Sequence, residues 1–230
     1  MAISATLYSL LSDLQPPKGC HILELGEANW YGDLNPAGLF PLSDPNDFFA
    51  VAKDFYKHWC EPAHMVAIDF DGTKAAQKLD LNRPIPNGPV AWDVVINHGT
   101  MEHIFNVAQF LLTMHDACAD GGLMIHDSPF TGWIDHGFYN FHPTFYYDLA
   151  AKNGYEIVSM AMHEIKSRRI FKLEDREHVL RLAAAGSVPN NAMLFVALRK
   201  RGNKPFRIPM QGVYSGALGT EGNAAWRTLR

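Results

Sequence analysis

The chain has 230 residues, of which 47% are hydrophobic and 19% charged, with a formal net charge of -4. That length suits one well-buried α/β domain and is cramped for two, and the apolar share excludes a largely disordered chain. The acidic balance argues against a nucleic-acid binder, which would carry a basic stripe.

In chain order, Ile3, Leu7, Leu10, Leu11 and Leu14 sit at helical spacing over 3–14, and Pro16-Pro17 stops that helix. A first strand is predicted from about Cys20 to Leu25, followed by a Gly-, Pro-, Asn- and Asp-rich loop over 28–46. Asp44-Pro-Asn-Asp opens a helix that puts Phe48, Val51, Ala52 and Phe55 on one face and ends near Trp59. A second strand is predicted over 64–68, a short third near 77–79 and a fourth over 93–97. A helix over 103–118 then leads through Asp120-Gly121-Gly122 into a fifth strand, 123–126. Pro143 starts a helix that Asn153-Gly154 caps, and Tyr155–Met160 gives a sixth strand. An irregular helical stretch near 174–185 precedes a seventh strand, 191–198. Strands alternating with helices imply a largely parallel sheet. Residues 1–200 therefore form one α/β domain, and 201–230 form a polar, glycine-rich tail lying on the surface, closing as a lid or making a dimer contact.

Three apolar runs stand out: His21-Ile-Leu-Glu-Leu-Gly26, Met65-Val-Ala-Ile-Asp69 and Trp92-Asp-Val-Val-Ile-Asn-His98. Each ends in an acidic residue, a glycine or a polar turn, the place where open α/β sheets bind ligands. In order and character they resemble the class I S-adenosylmethionine-dependent methyltransferases. The resemblance covers roughly residues 20–200 and implies a Rossmann-like, seven-stranded, mostly parallel sheet flanked by helices, with strands six and seven forming its antiparallel finish. It also implies S-adenosyl-L-methionine as cofactor. Glu24 and Gly26 match the start of the family's first motif, but Ala28 and Trp30 stand where its second and third glycines would be. Either the loop takes another path, with Gly32 taking over, or the pocket is altered. Asp69 matches the acidic residue that accepts from both ribose hydroxyls, as a carboxylate's two oxygens suit a vicinal diol. Asp80-Leu81 resembles the pair that meets the adenine, and His98-Gly99 the segment whose backbone carbonyls hold the amino group. Glu102-His103 resembles the Glu-His that opens the next helix in many small-molecule methyltransferases. The run His-Gly-Phe-Tyr-Asn from 136, with Lys204–Tyr214, resembles uncharacterised bacterial methyltransferase-like proteins of that branch.

Methyl transfer from a sulfonium is an in-line displacement, so the protein must align the acceptor, exclude water and remove a proton. The stretch 126–143 is dense in histidine and aromatics, and histidine titrates near neutral pH. His126, ending a strand, is the first choice of general base, with His136 and His142 as positioning groups or alternative bases. Trp133, Phe138 and Tyr139 would wall the acceptor pocket. The expected activity is O-methylation of a small polar acceptor such as a sugar or another metabolite hydroxyl. A non-catalytic cofactor-binding protein of the same fold is one alternative. A NAD-dependent oxidoreductase is another, although Gly-x-Gly-x-x-Gly is incomplete. His98, Glu102, His103, His126, Asp127 and His136 form a conceivable donor set for a divalent cation. The spacing His-x-x-x-Glu-His matches neither His-Glu-x-x-His nor its inverse, so the signal is weak and no metal ligand is assigned, although some methyltransferases acting on vicinal hydroxyls use a divalent metal and the need for one stays open. Cys20, Cys60 and Cys118 lack CxxC spacing and read as free thiols. With neither a basic leader nor an apolar run of roughly 20 residues, a cytoplasmic protein without a membrane partner is expected.

Overall fold

The computed structural model describes residues 2–86, 91–215 and 217–229. The first half contains β1 (Ala2–Ile3), α1 (Ala5–Ser12), β2 (His21–Leu25), β3 (Asn29–Trp30), α2 (Phe48–Cys60), β4 (His64–Ile68), β5 (Trp92–His98) and α3 (Val107–Ala117). The second contains β6 (Cys118–Thr131), α4 (Pro143–Asn153), β7 (Glu156–His163), β8 (Ile170–Lys172), α5 (Arg176–Ala184), β9 (Ala192–Arg199), α6 (Gly212–Ser215) and α7 (Thr220–Leu229). Local chemistry sets most helix starts. Side-chain oxygens of Ser4, Asp47, Asn106 and Asp175 accept the free amide hydrogens of the first turns of α1, α2, α3 and α5. Pro143 starts α4, and Gly154, at φ 71°, ends it in the left-handed conformation.

Seven strands form one sheet in the order β4-β2-β5-β6-β9-β7-β8. Neighbours from β4 to β6 pair in parallel, while β9 runs antiparallel to both β6 and β7. Alternation along the strands divides the interior in two. Leu23, Leu25, Val95, Met124, Leu194 and Val196 face α3 and α4; Ile22, Val94, Ile96, Ile125, Phe195 and Ala197 face α1 and α2. No helix among the described residues is long and apolar enough to cross a membrane.

Several elements differ from the sequence expectation. The first helix does not begin at Ile3, because Ser4 caps it; Ala2–Ile3 instead pairs in parallel with Asn29–Trp30. The third strand is reduced to a bridge between Ile68 and Gln77, since Asp80 turns the chain by accepting the Asn82 amide hydrogen. The seventh member of the sheet is β8, which pairs antiparallel with β7. The fifth strand begins at Cys118, passing through Gly121 at φ 80°, and the helix before it starts only at Val107. The tail is tied down over 200–212. His115 Nε2 donates to the Lys204 carbonyl, the Arg207 amide to Asn153, and the Gly212 amide to Asp148. Its C-terminal part forms α7; within its glycine-rich run, Gly216 lies outside the described residues.

Trp30, which interrupts the first glycine motif, lies in the core facing α1 and α2. It is 2% exposed, donates from Nε1 to the Leu34 carbonyl, and meets Tyr8 and Phe40 edge-on. Replacing a buried aromatic of this size costs about 3–5 kcal/mol. Trp30→Ala is therefore expected to lower unfolding stability by that amount in urea titration, whereas a pocket-lining tryptophan would cost little.

Candidate active site

The chain leaves β2 for β4 on one side and later returns to β5 on the other, which opens a crevice at the carboxyl ends of β2 and β5. Gly26 ends β2 at φ 101°, a conformation that a side chain disfavours, and its amide donates to the Ile68 carbonyl. Asp69, ending β4, accepts the Glu27 amide on one oxygen and the Asp71 amide on the other, each at 2.8 Å. Glu27 is itself buried, paired with Lys53 at 2.9 Å and bonded to Thr73. Ala28 and Trp30 turn into the core, so neither occupies the crevice. A Cβ at Gly32 would stand 3.8 Å from the Phe48 ring. Glu24 is fully buried on the α2 face; burial pushes its carboxyl up to about 8, against the pull of the nearby Tyr56 hydroxyl.

The β5 end is equally ordered. The Asn97 side-chain oxygen accepts the Thr100 and Met101 amides, while its Nδ2 donates to Ser128. This bends the chain into a 3-10 turn, Met101–His103. Gly99, at φ 71°, donates to the Asp127 carbonyl, and a Cβ there would stand 3.3 Å from Glu102 Oε1. His98 is buried, and burial holds its imidazole down at about 4, with Asp127 pulling the other way. Asp80 Oδ1 is engaged by Asn82, and the Leu81 side chain packs into the core, which leaves its backbone to meet a ring in the crevice. Asn82 in turn accepts the Asn106 amide, tying this turn to the start of α3.

The three histidines proposed from the sequence part company. His126 faces α4, 1% exposed, beside Asn97 and the Tyr146 ring, and burial drives it down to about 3. Enclosed in this way, the ring is poorly placed to take a proton from an acceptor. His142 precedes α4 and, with Tyr139, Phe141 and Phe206, lines a separate cavity of about 850 Å³. His136 comes to the crevice rim, its Nε2 3.8 Å from Glu102 Oε1 and its ring 5.0 Å from those of His103 and Trp133. Phe138 is exposed and meets Phe105 edge-on, and the Tyr139 hydroxyl donates to the Phe105 carbonyl.

Sequence reading offered Glu102 only as a motif residue and as one of six conceivable cation donors, not as an acid or base. It is fully buried, and burial, aided by the nearby Asp127 charge, pushes its carboxyl up to about 8. A carboxyl so displaced, at the rim of a crevice, is the pattern of a functional acid or base. The Glu-His pair was its one visible signal. Also unforeseen is a buried chain from Asp127 to His163 Nε2 (2.7 Å) and from His163 Nδ1 to Thr6 (2.8 Å), which anchors α1 to the strand ends.

No family model matches the chain, and no curated protein matches it. Solved structures do. An S-adenosylmethionine-dependent methyltransferase from Mesorhizobium loti superposes with a TM-score of 0.53 at 14% identity, over 85% of this chain and 98% of that one. The chain has the class I methyltransferase fold. A Listeria monocytogenes protein described as an S-adenosylmethionine-dependent methyltransferase superposes with a TM-score of 0.51 at 13% identity, over 86% and 98% of the two chains. These likenesses establish architecture, including the parallel half of the sheet and the antiparallel β9.

Glu102 makes a pH test of this geometry. Its folded value is raised from 4.5 to about 8, so its contribution to stability is complete below about 4.5 and is lost as pH rises through 8. Glu24 follows the same course. Glu102→Gln removes one of the two charging events. Its melting temperature relative to the parent should therefore climb between pH 5 and pH 8.5, and a difference independent of pH would contradict the placement of Glu102.

Proposed function

We propose that the chain is a cytoplasmic S-adenosylmethionine-dependent methyltransferase acting on a hydroxyl of a small polar acceptor, a sugar or comparable metabolite. The observation that carries this reading is Asp69. Its carboxylate stands half-buried at a strand end, beside the Gly26 turn and one strand away from the β5 end, with each oxygen accepting a single amide hydrogen. Each oxygen keeps a lone pair, so the pair suits the vicinal diol of a ribose.

The residues present fit the cofactor. Asp69 would hold the ribose, the Asp80-Leu81 backbone the adenine, and the His98-Gly99 backbone the amino-acid end. The buried His98 nitrogens, which have no hydrogen-bond partner, supply polar groups that a ligand could satisfy. When bound, S-adenosylmethionine supplies a methyl group on a cationic sulfur. The chain's own work is then positioning, water exclusion and proton removal. Trp133 and Phe138 would wall the acceptor side. At the rim, His136 is accessible where His126 is not, so it inherits the role of base, with the Glu102 carboxyl 3.8 Å from its Nε2 to orient the ring. His142 would contact a more distant part of the acceptor.

Calorimetric titration tests the reading. S-adenosylhomocysteine should bind, and Asp69→Ala should weaken it by about tenfold or more, equivalent to about 1.4 kcal/mol, with the circular dichroism unchanged. His136→Ala should leave that affinity intact. Absence of binding would overturn the proposal in favour of a non-catalytic protein of this fold, and preference for NAD would favour an oxidoreductase.

A further inference from the structure

Glu102, His103 and His136 come from two segments, the turn after β5 and the loop after β6, yet one donor atom of each lies within 4.8 Å of the others. The Glu102 carboxyl is wholly buried, and neither oxygen has a hydrogen-bond partner. A buried carboxyl left in that condition is costly unless something completes it. The two histidines that face it are both exposed, so the cluster opens to solvent on one side.

The chain builds this meeting at a conformational cost. In the loop after β6, Trp133 (φ 52°) and Asp135 (φ 60°) both occupy the left-handed region, which non-glycine residues disfavour. Gly137 then lies so close that a Cβ would stand 2.9 Å from the Glu102 carbonyl oxygen, and the Phe138 amide donates to that same oxygen at 2.8 Å. On the other side, Gly99 leaves room for Glu102 Oε1. Two glycines and a backbone hydrogen bond therefore fix the carboxyl against His136.

We infer that Glu102, His103 and His136 form a binding site for a divalent transition-metal ion of the zinc type. Two imidazoles and one carboxylate are a donor set for such ions, whereas magnesium and calcium take oxygen ligands. Ligand bonds of about 2.1 Å put the donor atoms of a tetrahedral ion about 3.4 Å apart. The Glu102–His136 separation of 3.8 Å is close to that, and the exposed His103 supplies the remaining movement. Three protein ligands leave at least one coordination position open toward solvent. Resting on the methyltransferase reading, that position would take an oxygen of the acceptor. A bound ion would lower the pKa of a coordinated hydroxyl, its proton leaving to water at the open rim; His136 is then a ligand, and its role as free base belongs to the ion-free protein. The sequence offered these three among six conceivable donors, but its spacing could not say which of them meet.

The test is titration of metal-stripped protein with zinc chloride alone, followed by calorimetry, with magnesium and calcium chloride as contrasts. About one equivalent of zinc should bind, with neither contrast ion competing at millimolar levels. His136→Ala and Glu102→Gln should each weaken it by about tenfold or more, while His58→Ala, exposed elsewhere, changes nothing. His136 is exposed, so its variant tests the site without endangering the fold. Zinc should also raise the melting temperature of the parent but not of His136→Ala. No stoichiometric binding, or binding indifferent to His136, would reduce the cluster to an ion pair and overturn the site. Measuring S-adenosylhomocysteine affinity in the stripped protein keeps this outcome separate from failure of the cofactor reading.

Discussion

The hydrogen bond from the Glu27 amide to the Asp69 carboxylate fixes the turn on which the rest of the crevice depends. It joins the end of β2 to the end of β4, and the adjacent Gly26 amide adds a second tie to the Ile68 carbonyl. With the turn held from that side, the chain after Glu27 is free to run down behind the sheet. Ala28 and Trp30 become core residues, and β3 gains a partner in the N-terminal strand β1. A glycine motif that looks damaged in one dimension is thus rerouted in three. Glu27, locked to Lys53 and Thr73, closes the loop where a helix would otherwise begin.

The second constraint is desolvation. Glu24 and His126 within the central strands, His98 at the end of β5 and Glu102 in the turn after it all have almost no exposure, and burial moves every one of them toward its neutral form. The strand ends are consequently polar without being heavily charged. Asp69 stands at the mouth, and Asp127 and His163 pair beneath at 2.7 Å. Such an interior loses stability relative to an apolar one. The cost is of the kind that proteins retain where chemistry is done. The same low-dielectric setting makes an unpartnered Glu102 costly and gives an ion at that point a strong hold.

Much of the fold was legible from residue order. Alternation in Ile22–Leu25 and Val94–Asn97 gives strands facing two cores, and Asp47 and Gly154 mark helix ends by chemistry that acts within a few residues. The acidic end of β4 and the Gly26 turn were legible for the same reason. What escaped depends on distant partners. β1 and the bridge at Gln77 exist only through pairing, and periodicity does not report pairing. The direction of His126 follows from which face of β6 its position lands on, and a continuous apolar-polar mixture over 123–128 does not declare that face. Glu102 and His136 are separated by more than thirty positions in sequence, and they meet only because Gly137 lets the loop close onto the turn. The docking of residues 200–212 rests on backbone bonds to His115, Asp148 and Asn153, none of which the tail's own composition shows.

The central claim is that the crevice between β2, β4 and β5, rather than the cavity beside His142, receives the cofactor. Amide hydrogen exchange with and without S-adenosylhomocysteine tests it directly, since exchange reports the opening of local structure. Slowed exchange confined to 26–32, 69–73, 80–82 and 97–103 is the expected result. Protection that instead falls on 105–111 and 139–148, with the crevice segments unchanged, would contradict it.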